Sequence, residues 1–252
     1  MTSNPPFARP IAHRGLHDRQ RGIIENSASA FAAAIERGFG IECDLQLTAD
    51  GETVVFHDDD LPRLVGGSGR IRAVPASELT ALPLLGSTTG DCPQTFAAFL
   101  DQIGGRVPLV IEIKKQANAT DTTELAKRVV QTLANYQGPF VLKTFDPRMI
   151  VALRRRGFQG PIGIITYGYD KPDWYGDMPA RTRFMLRHLL HYPWTRFTFI
   201  SCEQTALTLP AVRFFRAIGF KVMSWTVRSS DQAQAARRNA DQIVFEGFDP
   251  DA

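Results

Sequence analysis

The stretch GIECDLQLTADGETVVFHDDD, residues 40–60, decides the fold. It spans most of one strand-like run, Phe39–Leu47, and all of a second, Thr53–His57, joined by TADGE (48–52). That link is too short for a parallel crossover, which needs about a dozen residues or more. It also carries Asp50-Gly51, a hairpin signal. Thr53–His57 is therefore expected to turn back antiparallel, as the start of an excursion running to about Gly90. Outward from this point, strand-like runs recur at Ala8–Arg14, Val107–Lys114, Phe140–Phe145, Ile162–Tyr167, Phe197–Cys202, Phe220–Val227 and Gln242–Glu246. Helix patterns separate them: SASAFAAAIERG, QTFAAFLDQIGG, Thr122–Tyr136, PRMIVALRRRG, Ala180–Tyr192, LPAVRFFRAIG and SSDQAQAARRNA. With the hairpin strand set aside, the remaining strands alternate with helices, apart from a last strand followed only by FDPDA. The pattern predicts an α/β chain folded as a (β/α)8 TIM barrel, one domain over residues 1–252 with a small insertion at about 48–90 after the second barrel strand.

Composition narrows the class of protein. The chain has 252 residues, 44% of them hydrophobic and 22% charged, the balance of an ordinary globular protein rather than a disordered, collagen-like or coiled-coil one. No apolar run approaches the roughly 18 residues of a membrane-spanning helix. The opening MTSNPPFARP lacks the basic-then-apolar order of a secretory signal. Cys43, Cys92 and Cys202 are too few and too far apart for a disulfide framework or a zinc site. Together these point to the cytoplasm. A formal net charge of +3 is too mild to argue for nucleic acid.

In such a barrel, catalytic groups lie at the carboxyl ends of the strands. His13 and Arg14 end the first strand, Glu42 and Asp44 lie late in the second, His57 ends the hairpin strand, and Glu112 and Lys114 end the next. Glu25 lies in the loop after the first strand. The two-residue period of a strand puts Glu42, Asp44 and Gln46 on one face, and Glu112 and Lys114 on one face of theirs. Carboxylates gathered this way repel, and the remedies are protonation, bound bases or a cation. Oxygen ligands favour one divalent cation, Mg2+ or Ca2+, over zinc. His13, His57, Arg14 and Lys114 at the same mouth suit an anionic substrate such as a phosphate, with two imidazoles to share acid and base work. Taken singly, each pair is more readily a structural ion pair, and each histidine a satisfied structural one. Their coincidence at one end of the barrel favours a site.

The strings AHRG (12–15), EN (25–26), ECD (42–44), FHDD (56–59) and EIK (112–114) resemble, in order and spacing, the glycerophosphodiester phosphodiesterase family. KTFDP (143–147) is similar to the family's Ser-Phe step and SWTVR (224–228) to its Trp-Thr-Val step. Thr144 stands where Ser is usual and Arg228 where Asn is usual, and FEGFDP (245–250) replaces a Thr-Asp-x-Pro ending. The resemblance implies Glu42, Asp44 and Glu112 as metal ligands, and His13 and His57 as the acid/base pair. It further implies Arg14 and Lys114 on the phosphate, Glu25 supporting the metal site, and an insertion that contributes to the substrate pocket. The implied reaction hydrolyses a glycerophosphodiester to sn-glycerol 3-phosphate and an alcohol, either by direct attack of water or through a cyclic phosphate formed by the glycerol C2 hydroxyl.

The second half bears on the rest of the substrate. Phe145 and Trp225 are candidates for the substrate pocket, as is Glu203, which either meets substrate hydroxyls or pairs with Arg228. Tyr167, Tyr169, Trp174 and Tyr175 in YGYDKPDWYGDMPA (167–180) form an aromatic wall or simply stitch down their own loop. The basic, apolar run RTRFMLRHLLHYPW (181–194) allows weak contact with a membrane surface, although barrel helices are amphipathic in any case. The expected partner is a small phosphodiester, the oligomeric state being open. Rival readings are lysophospholipase D or sugar-phosphodiester cleavage on the same residues, and a binding protein that captures phosphodiesters without turnover.

Overall fold

The computed structural model describes residues 5–252, and the side chains of all of these except Pro5 and Tyr175. Met1–Asn4, read above for a leader, and the Tyr175 ring of the aromatic wall lie outside the described residues. Among the described residues, eight parallel strands close on themselves: β1 (Ile11–Ala12), β2 (Gly40–Leu47), β5 (Leu109–Ile113), β6 (Phe140–Thr144), β7 (Ile162–Thr166), β8 (Phe199–Glu203), β9 (Lys221–Val227) and β10 (Gln242–Phe245). Closure is made by β1, which pairs with β2 through Ile11↔Gly40 and with β10 through Ile11↔Val244. Two further strands, β3 (Thr53–Val55) and β4 (Gln94–Thr95), lie outside the barrel.

The helices α1 (Ala28–Glu36), α2 (Ala76–Leu79), α3 (Phe96–Ile103), α4 (Ala119–Leu133), α5 (Pro147–Arg155), α6 (Pro172–Tyr175), α7 (Ala180–Arg187), α8 (Tyr192–Thr195), α9 (Pro210–Ala217) and α10 (Ser230–Arg237) fill the connections. Side-chain alternation along the strands makes two cores. Ile41, Cys43, Leu45, Ile111 and Ile113 face outward and pack with Phe31, Phe99 and Leu125 of the helices. Ile11, Val110, Val141, Phe199, Met223 and Val244 fill the barrel interior. Gly163 is required here, because a Cβ on it would lie 2.3 Å from the Phe199 ring. The 3-10 turn at Pro5–Phe7 closes the floor, with Phe7 edge-on to Phe199 at 5.7 Å. Apolar side chains thus fill the lower barrel and leave the carboxyl ends of the strands to polar groups.

The hairpin forms as TADGE predicts: β3 runs antiparallel to β2 in the register Leu45↔Val55. The excursion has its own small core of Val54, Phe56, Leu61, Leu64, Ile71 and Leu79. Its pairing extends past Gly90, since β4 adds to β3 through Val54↔Thr95. QTFAAFLDQIGG therefore starts as strand and becomes helix only at Phe96, where Thr95 Oγ1 accepts from Ala98 N at 3.2 Å. The first strand is shorter than expected: Pro10 has no N–H to pair, and Arg14 turns out with φ 55. The Ala180–Tyr192 helix divides, because Leu189 adopts φ 53 and a new turn starts at Tyr192. No helix follows β10. Its tail is tied under α1 by Asp249 to Arg37 at 2.7 Å and Asp251 to Arg9 at 2.8 Å. None of the described helices is long and apolar enough to cross a membrane.

His191, fully buried at that break, donates or accepts at Nδ1 with Thr195 Oγ1 at 3.2 Å and packs on Phe197, while its Nε2 has no partner. Burial lowers its pKa to about 4. The unfolded chain then binds the extra proton first as pH falls, so the neutral ring's contribution is full above about 6.5 and is lost as pH drops through 4. His191→Phe is expected to remove this dependence. Urea denaturation at pH 7 and pH 4 should show a wild-type loss larger than the variant's by on the order of 3 kcal/mol.

Candidate functional site

Local backbone geometry brings the first-strand exit onto the end of β2. Arg14 and Asn26 both take left-handed conformations, with φ 55 and 54, and Asn26 N donates to Arg14 O at 2.9 Å. The two loops interlock above the barrel. Arg14 N is thereby aimed at Glu42 Oε2 (3.0 Å) and Asn26 Nδ2 at Asp44 Oδ2 (2.9 Å). Gly15 is needed for the approach, because a Cβ there would sit 2.9 Å from Ala30. Asn26 is thus a site residue rather than the helix cap; Ser27 caps α1.

Glu42, Asp44 and Glu112 are all buried, and each offers a carboxylate oxygen within 4.8 Å of the others. Unscreened, each such pair repels by about 3 kcal/mol at an effective dielectric of about 20. Two buried ammonium groups oppose this. Lys114 Nζ lies 2.8 Å from Asp44 Oδ1 and 2.8 Å from Glu112 Oε1. Lys143 Nζ lies 2.9 Å from Glu42 Oε1 and 3.5 Å from Glu112 Oε2. Burial would raise the carboxyl pKa values, but the surrounding cations together outweigh it: Lys114, His57 and Arg14 hold Asp44 well below the usual range, and Lys114 and Lys143 hold Glu112 below it. Burial would likewise lower Lys114, yet Asp44 and Glu112 push it up. Asn26 Oδ1 is buried beside the cluster without a hydrogen-bond donor. Three convergent carboxylates with an amide oxygen beside them are the donor set of a hard divalent cation.

Each histidine is seated on a carboxylate. His13 Nδ1 donates to Glu246 Oε2 at 2.5 Å, and Arg228 Nε holds the other oxygen at 2.7 Å. His57 Nδ1 donates to Asp58 Oδ1 at 2.7 Å, and Arg63 Nε holds Asp58 Oδ2 at 2.6 Å. Burial acts to raise Glu246 and Asp58, but hydrogen bonds from the histidines and the arginine charges outweigh it and keep both below the usual carboxylate range. Gln46 anchors the His57 loop, donating to Asp59 Oδ1 at 2.9 Å. Glu25 is held between Arg14 Nη1 (2.6 Å) and Arg63 Nη1 (2.7 Å). Burial opposes these pairings, yet they take its pKa down to about 2.

The groups meet in a cavity of about 1780 Å³ at the carboxyl end of the barrel. His13, Arg14, Asp44, His57, Glu112 and Lys114 line it, and so do Phe145, Glu203 and Trp225. Glu42 lies beneath them, fully buried. Glu25 stands apart, its contacts being the two arginines. Glu203 meets Lys171 Nζ at 3.3 Å and the Thr205 hydroxyl, while Arg228 belongs to Glu246, so the alternative of a Glu203–Arg228 pair is not what forms. Sequence reasoning missed Lys143, Glu246, Asp58 and Arg63. Lys143 had a signal, since it shares the inward face of its strand with Phe145.

Comparison with known proteins identifies the family and the fold. The model of the glycerophosphoryl diester phosphodiesterase family matches residues 13–246, and the chain belongs to that family. Human glycerophosphodiester phosphodiesterase 1 is 24% identical over 246 residues, covering 88% of this chain and 72% of its own. The Thermotoga maritima glycerophosphodiester phosphodiesterase shares 25% identity with a TM-score of 0.68, over 93% of this chain and 92% of that one. An Oleispira antarctica phosphodiesterase, solved with the product sn-glycerol-3-phosphate, superimposes with a TM-score of 0.74 at 21% identity, over 94% and 91%. The chain is a phosphoric diester hydrolase of the glycerophosphodiester class.

Removing Lys143 leaves Glu42 buried without its ammonium. Lys143→Met should destabilise the chelator-treated protein by about 3 to 5 kcal/mol in urea denaturation. A change within 1 kcal/mol would show that the pair carries little of the folded state.

Proposed function

We propose that the chain hydrolyses glycerophosphodiesters to sn-glycerol 3-phosphate and an alcohol, with His13 and His57 as the general acid/base pair and Glu42, Asp44 and Glu112 as ligands of one divalent cation, Mg2+ or Ca2+. The observation that carries this reading is the convergence of three buried carboxylates between two histidines whose Nδ1 atoms are both bonded to carboxylates. A cation bound there would supply charge neutralisation and Lewis acidity at the phosphate.

The chain's own groups do the rest. With Nδ1 taken in each ring, Nε2 is the atom left to exchange a proton with substrate, and the carboxylate behind it fixes the tautomer and stabilises the imidazolium. One histidine takes the proton of the attacking hydroxyl, whether of water or of the glycerol C2 carbon. The other protonates the departing alcohol. Arg14 and Lys114, on the cavity wall, present donors to the phosphodiester oxygens and offset the charge that grows on them in the transition state. Glu246 and Asp58 act as positioning residues for the two rings. Capture without turnover would need charge and shape but no pair of carboxylate-oriented imidazoles. The cytoplasm is the proposed compartment.

His13→Ala and His57→Ala are each expected to lower kcat by about 1,000-fold or more on glycerophosphocholine, with thermal melting points near wild type. Glu246→Gln should lower kcat by roughly 10- to 100-fold while KM stays within about threefold. Phosphorus NMR of the reaction mixture checks that the product is sn-glycerol 3-phosphate. Wild-type-like turnover in either histidine variant would refute the assignment.

A further inference from the structure

We infer that the side of the cavity facing the carboxylates is an acyl-chain subsite, and that the preferred substrates are phosphodiesters carrying one long acyl chain. This rests on the phosphodiesterase reading above and names its substrate class. The two walls of the cavity differ in kind. The loops after β1, β2, β3 and β5 contribute charged groups and no large aromatic, whereas Phe145, Trp174, Met178, Met185, Trp194 and Trp225 come from the connections after β6 and β7 and from β9, where Asp146, Lys171, Asp177 and Arg228 also line the cavity. Trp174 is held flat against Trp225, with ring centroids 5.8 Å apart and planes 18° from parallel. Tyr167 meets it edge-on at 5.3 Å, and Lys171 Nζ lies 4.2 Å from its ring centre on the way to Glu203. Although pinned on three sides, Trp174 remains 49% exposed. Met178 and Met185 pack behind it on Tyr167, Tyr169 and Leu186, and methionine adapts readily to a flexible apolar ligand.

The apolar wall does not stop at the mouth. Trp174, Phe184, Leu190 and Trp194 are four of the seven large hydrophobic side chains exposed among the described residues, and all fall within positions 174–194. Of these four, Trp174 and Trp194 line the cavity itself, and exposed apolar side chains at the rim of a catalytic cavity mark a binding surface. The cavity, at about 1780 Å³, is also larger than the roughly 300–1,000 Å³ that suffices for most small ligands. A glycerol phosphate with a small polar alcohol would leave the aromatic wall bare. Charge favours a lipid over a peptide or a second copy of this chain. Arg148, Arg155 and Arg156 line a groove adjoining Trp194, and Arg181 is exposed at the start of α7. An apolar strip flanked by arginines suits an acyl chain drawn from an anionic lipid surface.

Two homologous substrate series test this below their micelle concentrations. In lysophosphatidylcholines the chain sits on the glycerol. In glycerophospho-N-acylethanolamines it sits on the leaving alcohol. Acyl lengths of 6, 10 and 14 carbons are compared with glycerophosphocholine. Because each buried methylene adds binding energy, kcat/KM should rise with chain length by about 100-fold or more in one series, and which series rises tells on which side of the phosphate the chain lies. Trp174→Ala and Met185→Gln should each lower kcat/KM for the longest substrate at least about tenfold more than for glycerophosphocholine. Rates flat or falling with length in both series, alongside turnover of glycerophosphocholine, would overturn the subsite and leave the phosphodiesterase reading standing. Equal losses on short and long substrates in both variants would also overturn it. Failure to turn over any diester would instead defeat the phosphodiesterase reading itself.

Discussion

Three carboxylates buried within hydrogen-bonding reach of two ammonium groups constrain everything else in this barrel. Glu42, Asp44 and Glu112 come from two adjacent strands, β2 and β5, whose register places Asp44 beside Glu112. Such a cluster is tolerated because Lys143 is buried with it, Lys114 closes over it from the cavity side, and the two hold it together. Three carboxylates against two ammonium groups leave the cluster itself one negative charge in excess. A divalent cation would turn that excess positive by one, the match for a singly charged phosphodiester. The same balance explains why the polar layer sits above an apolar floor of Ile11, Val110, Val141 and Phe199. Water is excluded below, and the electrostatic interactions above are correspondingly strong.

Around this centre the chain repeats one device. Each histidine is backed by a carboxylate and each carboxylate by an arginine: His13–Glu246–Arg228 on one flank, His57–Asp58–Arg63 on the other. Arg63 also reaches Glu25, and Glu25 reaches Arg14, so the excursion is tied by ion pairs to the first barrel loop. The hairpin and its small apolar core thus carry His57 and fix it in relation to the barrel. In the family pattern quoted above, Glu246 falls in the segment that departs from Thr-Asp-x-Pro, and Arg228 stands where Asn is usual. The two departures occur together, as partners in one ion pair.

The barrel was legible from the sequence because its deciding feature is local. A five-residue link with Asp-Gly cannot carry a parallel crossover, and strand alternation then assigns Glu42, Asp44 and Glu112 to one interior. Features that depend on contacts between distant segments were less legible. Glu246 lies 233 positions from His13, and nothing in either local pattern announces that they touch. Lys143 lies level with Glu112, one residue from the end of its strand, but KTFDP was read only for its Thr and Phe, although the inward face of Lys143 could be read from Phe145. Boundaries were lost where backbone geometry overrides propensity. Arg14 and Leu189 adopt left-handed conformations that no residue type there foretells, ending the first strand early and splitting the 180–192 helix. Either Asn26 or Ser27 could cap α1 by residue type; Ser27 does, and Asn26 serves Asp44, a role fixed by the neighbouring loop.

The central claim is that Glu42, Asp44 and Glu112 hold one ion in common. Titration with Mn2+, followed by the loss of its free-ion electron paramagnetic resonance signal, counts the bound ions independently of turnover. The account predicts one site per wild-type chain, and its loss in Asp44→Asn and in the Glu42→Gln, Glu112→Gln double variant while both remain folded. Undiminished binding in those variants would contradict it.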